Sequence, residues 1–324
     1  VDSLAISRRR IAATLALALG SVLSTPAFAV DTFGGDTPGL PDEQQLTEPT
    51  KPLGVGRRLT VQVRINDSGP YPFLIDTGAN SSVISRDLAT SLGLPQGSPA
   101  NLHSIAGVEL VDTVVVNDVS VGRRTRRGLV MSLLPSRYIQ AAGILGLDWL
   151  GSQGLILDFA RNQMRLGSIS PMSNALSVTV PVKTRRSGLH LIDASVSGAR
   201  VLAFLDTGST TTVGNTALMR QAMRRRAVSR DWADITLLSL TGQTFQGRLA
   251  ALRSVELGNL KLGNVPVVFG PVHTFEYWGL VDQPAILIGT DVLNSFETVA
   301  LDFTRGQVHF KLLSSSTSRD AATS

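Results

Sequence analysis

The chain has 324 residues, 43% hydrophobic and 17% charged, enough apolar material for a sizeable buried core in one large domain or two ordinary ones. Its formal charge of +5 falls to +3 without residues 1–29, too little to imply a nucleic-acid partner. There is no cysteine, which excludes disulfides, thiolate nucleophiles and cysteine-ligated metals.

Arg8, Arg9 and Arg10 precede an apolar run from Ile11 to Leu23, and Ala27-Phe28-Ala29 then has the small-x-small form of a signal-peptidase site. That order predicts a secretory signal peptide over 1–29, possessing the paired arginines of a twin-arginine type, and export to the periplasm or the extracellular space. The apolar run is too short to span a bilayer, and no later segment is long and apolar enough, so no membrane span is expected after cleavage. Residues 30–55 are rich in Pro, Gly, Thr and acidic groups and predict a flexible leader, and 313–324 a disordered tail.

Strand signals follow. Leu59–Ile65 alternates apolar and polar residues, Asn66–Pro70 is a turn cluster, and Phe73-Leu74-Ile75 reads as a buried strand. Val111–Val121 and Leu252–Leu262 are β-rich. A second strand–turn–strand unit runs from Leu189 to Val196, turns at Ser197-Gly198, and resumes from Val201 to Leu205. The longest helical signal is Thr216–Arg226, whose arginines read as a solvated face, and short helices are expected after Gly146 and Gly289.

An internal repeat organises these elements. Phe73-Leu74-Ile75-Asp76-Thr77-Gly78 recurs as Ala203-Phe204-Leu205-Asp206-Thr207-Gly208. Ile144-Leu145-Gly146 recurs as Leu287-Ile288-Gly289, and Leu157-Asp158-Phe159 as Leu301-Asp302-Phe303. Three blocks in one order predict a duplicated domain, with halves at 56–170 and 187–312 and a connector at 171–186.

Each Asp-Thr-Gly triplet follows an apolar strand and opens a tight turn in which Gly78 and Gly208 are expected to supply conformations a side chain would forbid. Thr77 and Thr207 offer hydroxyls to the opposite loop. Two such turns meeting at a pseudo-twofold axis would place Asp76 and Asp206 in contact, where like charges cannot both ionise and one proton is shared. Such a pair can activate water and polarise a carbonyl without a covalent intermediate, metal or other cofactor. The recurring Asp148/Asp291 and Asp158/Asp302 read as structural, at helix starts and strand edges. His103, His190, His273 and His309 lie far apart in sequence, without metal-ligand spacing.

The constellation resembles the retropepsin and pepsin superfamily of aspartic peptidases over most of residues 56–312. The resemblance implies a mostly β acid-protease fold whose two homologous, barrel-like halves pair within one monomer. It places catalysis on Asp76 and Asp206 and implies a peptide or protein substrate. It places Ile144-Leu145-Gly146 and Leu287-Ile288-Gly289 beside the active-site turns and β-hairpin flaps at Ala106-Gly107 and Thr241-Gly242. Asp206-Thr207-Gly208-Ser209 matches pepsin-like enzymes and Asp76-Thr77-Gly78-Ala79 retroviral ones, so Ser209 is expected to hydrogen-bond Asp206 where Ala79 has no hydroxyl for Asp76. No tyrosine of the pepsin type stands near either flap glycine in sequence. The alternative is an inactive peptide-binding or scaffold protein on the same fold, against which the two intact triplets argue.

Overall fold

The structure, a computed structural model, describes residues 45–313 apart from 55, 152, 171–175 and 185–189. The expected signal peptide, most of the leader and all but Leu313 of the tail lie outside the described residues. The fold is mostly β, as expected. Among the described residues no helix is long and apolar enough to cross a membrane.

Half one begins as a hairpin. Arg58–Ile65 pairs with Ser68–Ile75 in the register Thr60↔Leu74, Val61↔Phe73. Asn66 and Asp67 turn the chain with φ of 46° and 66°, the left-handed pair that matches the twist of the strands. Val61, Val63 and Ile65 face the core and Arg64 faces solvent, as the alternation requires. Phe73, Leu74 and Ile75 are all buried, because the strand lies between two neighbours and under the other half. Its second neighbour is Gly143–Leu145, parallel to it, with Ile75 opposite Leu145. The sheet continues through Val83–Ser85, Arg124–Leu134 and Thr113–Val121. It closes where Arg64 pairs with Ser120, making a six-stranded barrel. Trp149 plugs its interior, fully buried, and donates its indole N–H to Val119 O at 2.9 Å.

Half two repeats this ring. His190–Val196, Ala199–Leu205, Ala285–Ile288, Val213–Gly214, Leu260–Phe269 and Thr244–Leu257 pair in turn, and Ala194↔Leu257 closes the barrel. The Leu252–Leu262 stretch is therefore a hairpin, turning at Gly258 with φ 57°. The expected helix is present over Thr216–Arg224, capped by the Asn215 side chain accepting from Leu218 N. Short helices Leu147–Leu150 and Thr290–Leu293 follow Gly146 and Gly289.

A six-stranded antiparallel sheet joins the halves. Its order is Leu46–Leu53, Gln163–Gly167, Gly154–Asp158, Phe296–Asp302, Gln307–Leu312 and Ser177–Thr184. The central pairing, Leu155↔Leu301 through Asp158↔Thr298, is one strand from each half. Two sequence boundaries change here. Leu46–Leu53 is a strand, not leader, and spans both sheets by pairing first with Gln163–Leu166 and then with Arg58–Val61. Ser177–Thr184 is likewise a strand, not connector. Asp158 and Asp302 are buried, each the last residue of its strand, and each accepts from the backbone and guanidinium of an arginine three residues on, which closes the turn that follows.

Candidate active site

The parallel pairings set the position of both candidate carboxylates. Asp76 N donates to Leu145 O, and Asp206 N to Ile288 O, each at 3.0 Å, so each Asp is fixed one residue beyond a buried strand. Its turn then folds back on its own side chain. Gly78 N and Ala79 N donate to Asp76 Oδ1 at 2.8 and 3.1 Å; Gly208 N and Ser209 N donate to Asp206 Oδ1 at 2.9 and 3.0 Å. One oxygen of each carboxyl is thereby oriented by backbone, leaving the other for chemistry.

The threonines lock the turns across the seam. Thr77 Oγ1 donates to Leu205 O at 2.9 Å and accepts from Thr207 N at 3.2 Å; Thr207 Oγ1 donates to Ile75 O at 2.7 Å and accepts from Thr77 N at 3.1 Å. All four bonds are buried. The carboxyls of Asp76 and Asp206 consequently meet at the seam, each beside the glycine of the opposite turn.

The glycines serve a different purpose from the expected one. Neither Gly78 nor Gly208 has a left-handed φ. What they permit is approach: a Cβ on Gly208 would lie 2.1 Å from Asp76 Oδ2, and one on Gly78 would lie 2.6 Å from Asp206 Cγ. Gly208→Ala should therefore push the carboxyls apart, costing about 1–3 kcal/mol of stability as a backbone-anchored overpacking, measurable by denaturant titration. Gly146 and Gly289 act similarly behind each turn, where a Cβ would lie 2.8 Å from Ala79 O and from the Thr211 backbone. Asp148 and Asp291 tie the same loops: Asp148 accepts from the Ser82 hydroxyl, Ser82 N and Trp149 N, while Ser82 Oγ accepts from Gly146 N. Asp291 and Thr212 repeat the pattern. The Ser209 hydroxyl does not reach Asp206. It donates to Thr211 O at 2.8 Å, so the expected asymmetry does not arise from it.

Burial dominates the electrostatics. It raises Asp76 above the ordinary carboxyl range, against donors at Gly78 and Ala79 and the nearby Arg58. Asp206 is raised further, by burial and then by the charge of Asp76. Both shifts run the same way, toward the protonated form, as burial beside a like charge requires.

The carboxyls lie in a cleft of about 600 Å³. Two hairpins cover it. Ala100–His103 pairs with Val108–Val111, turning at residues 104–107, where Ser104 N donates to Gly107 O. Ala233–Leu238 pairs with the start of Thr244–Leu257, turning at 239–243, where Ser239 N donates to Gln243 O. The expected Ala106-Gly107 and Thr241-Gly242 stand at these two tips, with glycine φ of 156° and 87°. The tips approach each other: a Cβ on Gly107 would lie 3.0 Å from Gln243 Oε1. Each also rests on the opposite half. Ile105 and Ala106 pack on the half-two core and Leu240 on a half-one cluster.

Aromatic and imidazole groups invisible in the sequence pattern hold the hairpins. His103 Nδ1 and His273 Nε2 are 3.0 Å apart, His103 stacks on Tyr277 at 4.1 Å, and His273 N donates to Ile105 O. Tyr138 fills the space beside Gly242, where a Cβ would meet its ring at 2.5 Å. Tyrosines are thus adjacent to both hairpins in space, brought there from 30 or more residues away. His273→Ala, removing one side-chain hydrogen bond worth ~1 kcal/mol, should accelerate amide exchange across residues 101–108 about fivefold.

Two barrels joined by a shared sheet, each delivering an Asp-Thr-Gly turn to one seam beneath paired hairpins, define the acid-protease fold. The aspartyl protease family model matches residues 61–149 and 192–292, one stretch in each half and more than half the chain together, and the chain belongs to that family. No curated protein matches it.

Proposed function

We propose that this protein is an aspartic endopeptidase that hydrolyses peptide bonds with a water activated by Asp76 and Asp206. The observation that carries this reading is the contact of two buried carboxyls, each with one oxygen fixed by two backbone N–H groups and both displaced toward protonation. The ionised member takes a proton from the water, the protonated member polarises the scissile carbonyl, and the pair returns a proton to the leaving amine. The hairpins close over an extended peptide and exclude solvent.

Crosswise threonine bonds between residues 77 and 207 favour a monomer in which both halves of one chain form the site. The basic, apolar and small-residue succession over 1–29 supports export. Digestion of a mixed peptide library, read by mass spectrometry with and without a hydroxyl-bearing transition-state analogue, tests the activity. Cleavage abolished by the analogue is expected; tight analogue or peptide binding with no cleavage would leave a peptide-binding protein instead.

A further inference from the structure

Among the described residues, Arg58 is a charged group that faces the carboxyl pair from the strand beside Asp76. It begins the strand that pairs with the Asp76 strand, and the register Thr60↔Leu74, continued by two residues, sets Arg58 opposite Asp76. Directly opposed residues point to one face, with Cα atoms about 4.5–5.5 Å apart. The side chain is only 6% exposed and lines the cleft together with both carboxyls. Its Nη2 donates to two neutral acceptors of half one, Ile139 O at 3.4 Å and Gln140 Oε1 at 3.2 Å. Its Nε is buried without a partner.

A buried guanidinium stays charged and is costly unless an anion compensates it. Among the described residues no carboxylate forms an ion pair with Arg58, and the anions whose fields reach it are Asp76 and Asp206. The other titratable or charged groups lining the cleft are His103, Arg137, Tyr138 and Tyr277. Lys51, on the strand at the other side of Arg58, is exposed. Among the described residues of half two, the strand His190–Val196, which pairs with the Asp206 strand, contains neither arginine nor lysine.

We propose that Arg58 is a positioning residue that fixes the polarity of the carboxyl pair, holding the negative charge on Asp76 and leaving the shared proton on Asp206. Half one then supplies the base that receives the water proton, and half two the acid that polarises the carbonyl. This assignment of roles rests on the peptidase reading; the charge placement beneath it is testable without turnover. The larger upward displacement of Asp206, and the opposing pull of the Arg58 charge on Asp76, agree with it.

Carbon-13 NMR of labelled aspartate tests it. Asp206→Asn leaves Asp76 to titrate without its partner, and Asp76→Asn leaves Asp206. Adding Arg58→Met should raise the Asp76 midpoint by about one pH unit or more, the effect of losing a nearby opposite charge. The Asp206 midpoint should move less than half as far, and Arg58→Lys should restore the original midpoints to within a few tenths. In the otherwise wild-type enzyme, Arg58→Met should shift both limbs of the pH profile of kcat/KM upward. If Arg58→Met fails to fold, Arg58→Gln, which keeps a donor for Ile139 O, carries the same test. An unmoved Asp76 midpoint, or a shift at Asp206 as large as that at Asp76, would overturn the proposal. Absence of peptide cleavage would sink the peptidase reading alone.

Discussion

Replacing either Asp76 or Asp206 by Asn should lower kcat/KM on a cleavable peptide by ~10³-fold or more, because each substitution removes one of two proton-transfer roles worth about 10²–10⁴ each. Asn keeps the shape and still accepts from the turn amides at residues 78–79 or 208–209, so the loss is chemical and the fold survives. Stability should move in the opposite direction. Asp206 is raised above its ordinary value of 3.8 by burial and by Asp76. A carboxyl with a raised folded-state value binds its proton more tightly when folded, so the stability it contributes is whole below the unfolded value and is lost as pH rises through the folded one. Wild type should therefore lose stability as pH rises above the ordinary aspartate range. Asp206→Asn, neutral at that position throughout, should lose less, because only the buried Asp76 still titrates. At pH 7 its Tm should exceed wild type by about 2–4 °C for each kcal/mol regained. An Asp206→Asn protein that melts below wild type at pH 7 would count against a buried, charge-sharing pair.

The second large effect concerns the threonine lock. Each hydroxyl satisfies one buried carbonyl and one buried N–H of the opposite half. Thr77→Val with Thr207→Val keeps the volume but strands four buried backbone groups, each costing about 1–3 kcal/mol. The sum is a large share of the 5–15 kcal/mol typical of a folded domain. Denaturant titration should show a loss of at least ~4 kcal/mol, while the matching Thr→Ser pair, which keeps both hydroxyls, should lose far less. A Val pair within ~1 kcal/mol of wild type would mean that the turns are held together by other contacts.

The carboxyl turns were legible in the sequence because their determinants are local and duplicated: an apolar strand, Asp-Thr-Gly, and later an apolar pair with Gly. The hairpin Arg58–Ile75 was legible from period-two alternation around Asn66-Asp67. The strand Leu46–Leu53 was not, since Pro49 and Pro52 interrupt its pattern and its first partner lies more than 100 residues away. The role of Gly78 and Gly208 has no local signal, because the obstacle to a side chain there is the opposite carboxyl, which local sequence does not contain. The Ser209 hydroxyl was assigned to Asp206 by analogy, but a closer acceptor at Thr211 captures it.

Arg58 looks in sequence like half of a solvated pair with Arg57. Folding the strand back about Asn66-Asp67 in the register Ile65↔Ser68 places it opposite Ile75; the β-bulge between Val63 and Ile65 moves it on by one residue to Asp76, and that shift has no sequence signal. His103 with His273, and Tyr138 with Gly242, had no such signal, because their proximity is created by two hairpins crossing onto opposite halves.

The proposed mechanism needs both carboxylates of one chain in one working site. Hydrolysis of a fluorogenic peptide by wild type, by Asp76→Asn, by Asp206→Asn, and by the two variants unfolded and refolded together measures this directly. Wild type alone should cleave, with the three other samples reduced ~10³-fold or more. Wild-type rates in either single variant would contradict the paired-carboxylate mechanism, and activity recovered only in the co-refolded mixture would show that the site is built between chains.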